Sequence, residues 1–230
     1  MSEPVRIALF GSTGLVGSQI IREAVGRADL RLTAVARREF GLPAGAHMEL
    51  IVAGSDAWTD ILRTMRPDVV VSTLGTTWKK AERDEEAFRA VDHDLVMEVA
   101  RAARETGATR FVAVSSVGAD YNAKTFYLRV KGETDRDLSH LQFKRLDILR
   151  PGLLRGKRDN DLRVLEGLGR LASPVVDLFL QGGAAKARSI PAATVARACL
   201  SLAKRKASGR FVHDNDAIRR AAGELGELAA

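Results

Sequence analysis

The chain has 230 residues, of which 46% are hydrophobic and 28% charged, a composition typical of globular proteins. One cysteine excludes an internal disulfide framework and a zinc–thiolate cluster, and the four histidines form no spaced metal pair. We therefore expect no metal site. The formal net charge is +7, but basic and acidic residues interleave and aromatic residues are few. This pattern indicates a solvated basic surface and no nucleic-acid partner.

The chain shows no sign of a targeting segment or of internal division. Its first apolar run begins at Val5 without a charged-then-apolar leader, and no apolar run reaches membrane-spanning length. These features predict a cytoplasmic protein that does not bind a membrane. Because we find no linker, repeat or low-complexity stretch, we expect a single domain over residues 1–230.

A glycine-rich turn follows the first apolar run, Val5–Phe10, and helix-forming residues follow the turn. This order predicts a buried parallel strand, a tight turn and a helix whose N-terminal N–H groups suit a pyrophosphate. The spacing is G-x-x-G-x-x-G, whereas the usual dinucleotide motif is G-x-G-x-x-G. A tight turn without a ligand is the alternative. The predicted cofactor contacts here are Gly11, Ser12, Thr13, Gly14, Leu15, Val16 and Gly17.

Two arginines follow the second predicted strand, residues 31–36. In a doubly wound nucleotide fold, the end of this strand meets the adenosine ribose. An acidic residue there would accept a hydrogen bond from the 2′-hydroxyl, whereas the guanidinium groups of Arg37 and Arg38 match a 2′-phosphate. The arginines therefore favour NADP over NAD as the cofactor. The alternative is that both arginines line a solvated loop.

Strands and helices are predicted to alternate through the first two thirds of the chain. Further strands are expected at residues 48–52, 69–74, 110–114 and 143–149, with helices that include 57–65 and 83–105. This alternation predicts an α/β fold with a doubly wound parallel sheet, Rossmann-like and covered on both faces. Strand ends supply the remaining predicted cofactor contacts: Leu74, Gly75, Thr76, Ser115, Pro151 and Gly152.

The alternation loosens after Gly152. We expect residues 151–230 to form a substrate-side segment, because late irregular segments often cover the crevice at the carboxyl ends of the strands. Within it, we predict a short helix and an apolar run before residue 190. A helix from Pro191 to about Lys204, a short strand at 209–213 and a surface helix from residue 217 are also predicted.

Tyr127 and Lys131 are four residues apart, so they share one face of a helix. A nearby ammonium favours the phenolate form of a tyrosine, which suits a general acid or base. We predict that Tyr127 donates a proton to a substrate oxygen as hydride arrives and that Ser116 hydrogen-bonds that oxygen. Lys131 and Tyr127 would also contact the cofactor. The alternative is that Tyr127 packs on the helix face and Lys131 is solvated.

The glycine turn, Ser115–Ser116 and Tyr127-x-x-x-Lys131 occur in an order that resembles the short-chain dehydrogenase/reductase superfamily. The chain is more similar still, over nearly its whole length, to the atypical branch of Tat-interacting-protein-like oxidoreductases. The segments that carry this similarity are residues 74–77, 91–94, 115–120, 126–133, 150–154 and 190–198. The resemblance implies a Rossmann-like NADP-binding fold, with the catalytic roles on Ser116, Tyr127 and Lys131.

The chain departs from the superfamily in two places. In many members, an asparagine in the fourth helix completes a proton relay. The matching region of this chain is residues 91–94, where a carboxylate could serve in place of the asparagine. Extended members also carry a larger C-terminal substrate domain, so a small substrate or a shallow pocket is expected.

Our leading hypothesis is an NADP-dependent oxidoreductase of a small carbonyl or alcohol substrate. The alternatives are an NADPH-binding regulatory module that contacts a protein partner, and an epimerase or dehydratase that retains its cofactor. Both a monomer and a homodimer are compatible with the sequence.

Overall fold

The computed structural model of the protein describes residues 3–156 and 189–226. Its strands are β1 (Val5–Phe10), β2 (Leu30–Ala36), β3 (Glu49–Val52), β4 (Val69–Ser72), β5 (Arg110–Val114), β6 (Arg145–Leu149), β7 (Leu154–Arg155), β8 (Ile190–Pro191) and β9 (Gly209–His213). Seven of them form one sheet in the order β3-β2-β1-β4-β5-β6-β9, and β7 pairs with β8. All the neighbouring strands of the large sheet pair in parallel.

Helices connect most of these strands, as is usual in a parallel sheet, whereas residues 37–48 join β2 to β3 without a helix. The helices are α1 (Leu15–Ala24), α2 (Trp58–Met65), α3 (Glu85–Arg89), α4 (Leu95–Glu105), α5 (Phe126–His140), α6 (Ala192–Lys204) and α7 (Asn215–Gly223). A π-helical segment, Ala90–Asp94, joins α3 to α4. The prediction of a doubly wound, Rossmann-like α/β fold is confirmed.

Side-chain alternation along β1 divides the interior into two apolar cores. Ile7 and Leu9 pack against α1 and α6 on one face of the sheet, whereas Ala8 and Phe10 pack toward α2 and α4 on the other. All four side chains are almost fully buried. A central strand that is buried on both faces must be apolar throughout, which explains why β1 is a continuous hydrophobic run.

Several predicted boundaries differ from the structure, most clearly in three elements. The strand predicted at 143–149 begins at Arg145, and the strand predicted at 69–74 ends at Ser72. The long helix predicted over 83–105 consists of α3, the π-helical segment and α4. It starts after Asp84, because the Asp84 carboxylate caps it by accepting a hydrogen bond from the Ala87 N–H. Within the π-helical segment, the Thr134 hydroxyl of α5 donates to the Asp92 carbonyl at 2.9 Å.

The C-terminal elements complete the main sheet and its helical layer. β9 pairs with β6 at one edge, and α6 lies where the sequence predicts a helix. The helix predicted to lie on the surface is α7, but Ile218, Ala221 and Ala222 are buried in the core that α1 and α6 share. Their spacing gives the helix one buried apolar face, and its opposite face is exposed, as expected for a helix at the surface. The short helix and apolar run predicted before residue 190 lie largely outside the described residues, and a substrate-side role for residues 151–230 stays a prediction.

Candidate cofactor and active site

The glycine turn is attached to the end of β4. Gly11 has a φ of +82°, and a Cβ there would lie 2.6 Å from the carbonyl carbon of Thr73, so a side chain is excluded both by conformation and by space. The Thr73 hydroxyl donates to the carbonyls of Phe10 and Gly11 at 3.1 and 3.0 Å. Thr73 therefore helps to shape the turn, although the sequence analysis did not select it.

The other two glycines of the turn have different surroundings. A Cβ at Gly17 would lie 2.2 Å from the Gly11 carbonyl oxygen, whereas a Cβ at Gly14 would lie 3.1 Å from the same atom. Gly14 is the N-cap of α1, and neither a capping side chain nor an acidic residue is present in the first turn of this helix. An N-terminus of this kind suits an anionic group, because its N–H groups and the helix dipole are both favourable to negative charge.

Ser12 and Val16 contribute side chains to the protein interior. The Ser12 hydroxyl is buried and donates to the Val35 carbonyl of β2 at 3.3 Å, and Val16 belongs to the α1–α6 core. Thr13 is exposed and Leu15 is half-buried. A cofactor contact by Ser12 or Val16 would therefore use the backbone.

Arg37 and Arg38 follow β2 directly, and both are exposed. β2 pairs in parallel with β1, with Val35 opposite Phe10. The two arginines therefore leave the sheet at the same carboxyl edge as the glycine turn, where a doubly wound fold holds the adenosine ribose.

The loop after β4 lies against a buried ion pair. The Thr76 N–H donates to Oδ2 of Asp92 at 2.7 Å. A Cβ at Gly75 would lie 3.3 Å from Oδ1 of Asp92 and 3.5 Å from Nζ of Lys131. Gly75 is therefore in van der Waals range of both charged groups, and the predicted contacts Leu74, Gly75 and Thr76 belong to the same site as Lys131.

Tyr127 and Lys131 lie one turn apart on α5. Nζ of Lys131 is 2.7 Å from Oδ1 of Asp92, and the two side chains are 9% and 0% exposed. Burial lowers the pKa of Lys131, but the Asp92 carboxylate, with Tyr127 and Asp135, more than offsets burial, so the pKa is raised overall. The ammonium is therefore charged at neutral pH. The alternative for this motif included a solvated Lys131, whereas the side chain is buried and paired with Asp92.

Aromatic rings surround the half-buried side chain of Tyr127. Its ring centroid is 5.4 Å from that of Phe88, and Phe88 also contacts Phe126 and Trp78. Trp78 is 37% exposed. Such contacts fix the ring of Tyr127 at the start of α5.

A close helix–loop contact positions Ser116 relative to α5. A Cβ at Gly132 would lie 2.1 Å from the backbone of Asp120, and the Asp120 N–H donates to the Leu128 carbonyl at 3.2 Å. The loop that starts at Ser116 therefore runs directly along α5. The Ser116 hydroxyl is half-buried and donates to the Val117 carbonyl at 3.3 Å.

A second buried carboxylate lies on α5 near Lys131. Oδ2 of Asp135 is 2.8 Å from Nε of Arg150. Burial raises the pKa of Asp135, although the Ser115 hydroxyl and Arg150 act in the opposite direction. Pro151 and Gly152, which follow Arg150 in the chain, are predicted cofactor contacts and are buried. The Pro151 carbonyl accepts a hydrogen bond from a backbone N–H, and the Gly152 N–H donates to Oδ1 of Asn215 at 2.9 Å.

The role of Asp92 is predicted only in part from the sequence. Residues 91–94 are a region in which a carboxylate could serve in a relay, but the pairing of Asp92 with Lys131 is not predicted. The available signal was its place in the helical pattern, because Asp92 follows Phe88 by four residues and precedes Val96 by four. A carboxylate on an otherwise apolar stripe indicates a buried charge that needs a partner.

The described geometry is that of a nucleotide-binding fold with a Tyr–Lys pair, and comparison with known proteins agrees with this class. The family described as NAD(P)H-binding matches residues 11–206. The chain therefore belongs to this NAD(P)H-binding family.

Several mitochondrial proteins are similar in sequence. The chain is 33% identical over 199 residues to protein fmp52 of Aspergillus niger, and the aligned region covers 82% of this chain and 85% of that protein. It is 39% identical over 150 residues to FMP52 of Eremothecium gossypii, covering 65% and 66%. FMP52 of Saccharomyces cerevisiae is 36% identical over 155 residues, covering 66% and 67%.

Two solved enzyme structures share the fold. UDP-glucose 4-epimerase from Thermotoga maritima, with UDP-glucose, superposes with a TM-score of 0.66 at 14% identity, covering 95% of this chain and 81% of that chain. The Bordetella bronchiseptica enzyme WbmH, in complex with NAD+, gives a TM-score of 0.66 at 15% identity, covering 95% and 79%. These similarities show a Rossmann-like fold.

The relatives overturn one expectation. The prediction of a cytoplasmic protein is wrong on this evidence, because the similar FMP52 proteins are named as mitochondrial. The prediction rested on the lack of an apolar leader, which is not a positive signal for any compartment. Among the residues that the structure describes, none of the helices has the length and hydropathy needed to cross a membrane.

Proposed function

We propose that the protein is an NADP-dependent oxidoreductase of a small carbonyl or alcohol substrate. The observation that carries this proposal is that the Tyr127–Lys131 pair lies at the same carboxyl edge of the sheet as the glycine turn. The loop through Gly75 joins them: it runs on from Thr73, which hydrogen-bonds the turn, and its Thr76 N–H donates to Asp92, the partner of Lys131. This arrangement supports a shared site for cofactor and substrate.

The residues at this edge fit a dinucleotide cofactor. The uncapped N-terminus of α1 and the backbone of residues 11–17 suit the pyrophosphate, and the exposed guanidinium groups of Arg37 and Arg38 suit a 2′-phosphate. Lys131, beside Gly75, is placed for the hydroxyls of the nicotinamide ribose. The remaining predicted contacts, Leu74, Thr76, Ser115, Pro151 and Gly152, complete the proposed site. When bound, the cofactor supplies or accepts a hydride.

The chain itself supplies the proton chemistry. During carbonyl reduction, Tyr127 donates its phenolic proton to the substrate oxygen, and Ser116 donates a hydrogen bond to the same oxygen. The charged ammonium of Lys131 stabilises the phenolate that remains. The sequence segments shared with Tat-interacting-protein-like oxidoreductases support placement of the chain in that branch, with a small substrate.

Replacement of Tyr127 by phenylalanine tests this function. The change removes one hydroxyl and keeps the ring on Phe88, so NADPH affinity and the melting temperature should stay near the wild-type values. Turnover should fall by roughly 10²–10⁴, which is the usual contribution of a positioned acid. Steady-state NADPH oxidation with a panel of small aldehydes and ketones measures this loss.

Tyr121→Phe is the matched control, because Tyr121 is the other tyrosine of the chain and is 49% exposed. Its turnover should equal that of the wild type. Wild-type turnover by Tyr127→Phe would contradict the assignment. NADPH binding without turnover on any panel member would favour the regulatory binding module, and isomer exchange or water loss without net NADPH consumption would favour an epimerase or dehydratase.

A further inference from the structure

Asp92 lies in the π-helical segment between α3 and α4, and its side chain is fully buried. π-Helical turns are rare and frequently occur at functional sites. The Asp92 carbonyl accepts a hydrogen bond from the Thr134 hydroxyl of α5 at 2.9 Å. This contact fixes the segment against the helix that carries Tyr127 and Lys131.

The Asp92 carboxylate connects two parts of the proposed site. One oxygen lies 2.7 Å from Nζ of Lys131, and the other accepts from the Thr76 N–H at 2.7 Å. The pair borders a small cavity that has room for roughly one water molecule. Bulk water therefore screens these charges little, and their effects on neighbouring groups are strong.

Two carboxylates act on Lys131, from two different elements. Asp92 faces it from the π-helical segment, and Asp135 and the Tyr127 phenol act on it from its own helix. Asp135 is itself paired with Arg150. Also on α5, the Arg129 guanidinium stacks on the ring of Phe126 at 5.6 Å. Asp92 thus pairs with the cation on which the chemistry of Tyr127 depends.

We propose that Asp92 is a positioning residue that holds the Lys131 ammonium beneath the loop through Gly75 and reduces the positive potential that Lys131 exerts on the Tyr127 phenol. The catalytic consequence rests on the proposed function: the phenol form of Tyr127 is the proton donor that carbonyl reduction requires. The electrostatic coupling itself is measurable without any turnover.

The coupling can be read from the tyrosine directly. The chain has two tyrosines, so a Tyr121→Phe background leaves Tyr127 as the only phenol, and ultraviolet difference absorption reports its ionisation. Asp92→Asn in this background keeps the size of the side chain and removes its charge. The phenol titration midpoint should move to lower pH by about one unit, the low end of the effect of a nearby charge. An unchanged or raised midpoint would overturn the proposal.

Two further variants in the same background act as controls. Asp94→Asn makes the same charge change two residues along the chain, but Asp94 is 60% exposed and contacts His93, so the midpoint should not move. Lys131→Met removes the cation, and the midpoint should rise. A shift with Asp94→Asn as large as that with Asp92→Asn would show a general charge effect and would also overturn the proposal.

A stability cycle keeps the proposal testable if Asp92→Asn alone fails to fold, because loss of one partner leaves an unpaired buried charge. The double variant Asp92→Asn/Lys131→Met removes both charges. It should be more stable in urea than the two single losses predict, and simple additivity would count against the pairing. The midpoint of the Tyr127 titration could shift as expected while Tyr127→Phe keeps full turnover. In that case the proposed function is wrong, and the electrostatic coupling of Asp92 to Tyr127 is supported.

Discussion

The carbonyl oxygen of Gly11 lies so close to Gly17 that a Cβ on Gly17 would be 2.2 Å from it. Strand β1 and helix α1 meet at this point, and any side chain would push them apart. Gly14, in the same turn, has an ordinary φ of −77° and a nearest Cβ contact of 3.1 Å. The two glycines therefore serve different purposes: Gly17 permits the packing of the fold, and Gly14 leaves the N-terminus of α1 open.

Gly14→Val should abolish nucleotide binding while the fold survives. The added side chain would cover the N-terminal N–H groups of α1, where the pyrophosphate is proposed to bind. We expect no measurable NADPH or NADH binding by titration calorimetry, with a melting temperature within a few degrees of the wild type. Retained NADPH affinity would show that the turn does not contact phosphate.

Gly17→Ala is the matched comparison. Because the methyl group would overlap backbone atoms, this variant should lose about 1–3 kcal/mol of unfolding free energy, the usual cost of overpacking. Urea denaturation measures the loss. Gly223→Ala, at the end of α7 with no atom within 4 Å of the added methyl group, should be neutral or slightly stabilising.

The joint replacement of Arg37 by Asp and Arg38 by Ala tests cofactor choice. Loss of charge-assisted hydrogen bonds to the 2′-phosphate should weaken NADPH binding by about 1.5–3 kcal/mol. NADH lacks this phosphate, so its affinity should change little. Dissociation constants for both cofactors, measured at one salt concentration, give the comparison.

Arg31→Asp with Arg63→Ala makes the same change in net charge elsewhere. Arg31 lies near the other end of β2 and Arg63 lies on α2, and both side chains are largely exposed. This control separates a local contact from the general field of the protein. If the Arg37/Arg38 variant weakens the binding of NADPH and NADH equally, the two arginines do not bind a 2′-phosphate.

Asp135 should make the stability of the protein depend on pH. Burial raises its pKa in the folded state, although Ser115 and Arg150 oppose this. A carboxyl with a raised folded pKa contributes stability that is present below its unfolded pKa and is lost as the pH rises through the folded pKa. Asp135→Asn should remove this contribution, so its unfolding free energy should fall less between about pH 4 and pH 7.

Urea denaturation at several pH values in this interval measures the difference in slope. Asp60→Asn is the control, because Asp60 is 78% exposed on α2 and pairs only along its own helix with Arg63; its slope should match that of the wild type. Identical slopes for Asp135→Asn and the wild type would show that Asp135 has an ordinary pKa in the folded protein.

The order of strands and helices was predictable because local patterns determine it. The apolar run of β1 and the glycines that follow specify a strand, a turn and a helix without reference to distant residues. The same holds for α6, whose start after Pro191 and end near Lys204 were predicted correctly. The π-helical segment at Asp92 was not predictable, because it involves a hydrogen bond from Thr134, 42 residues away.

The site was predictable only where sequence spacing implies proximity. Tyr127 and Lys131 lie on one helix, so their separation along the chain fixes their separation in space. The pairing of Lys131 with Asp92 depends on how α5 packs against the π-helical segment, and no local pattern encodes that packing. Compartment is also outside the reach of such patterns, as the mitochondrial relatives show.

Cys199 offers a final prediction, because it is the single cysteine of the chain and is completely buried in α6. It belongs to the core that α1, α6 and α7 share. Burial raises the pKa of its thiol far above the ordinary range, and the nearby Asp147 adds to this effect. Since the thiolate is the reactive form, Cys199 should react only when the core opens.

Labelling with a thiol reagent should therefore be roughly 10³-fold or more slower in the folded protein than in urea, as expected for opening of a stable core. Saturating NADPH should slow it further, because a ligand that binds only the folded state reduces the open population. Cys199→Ala with Ser208→Cys moves the single thiol to an exposed position and should react rapidly with or without NADPH. Rapid labelling of the wild type in buffer would show that α6 separates from α1 without global unfolding.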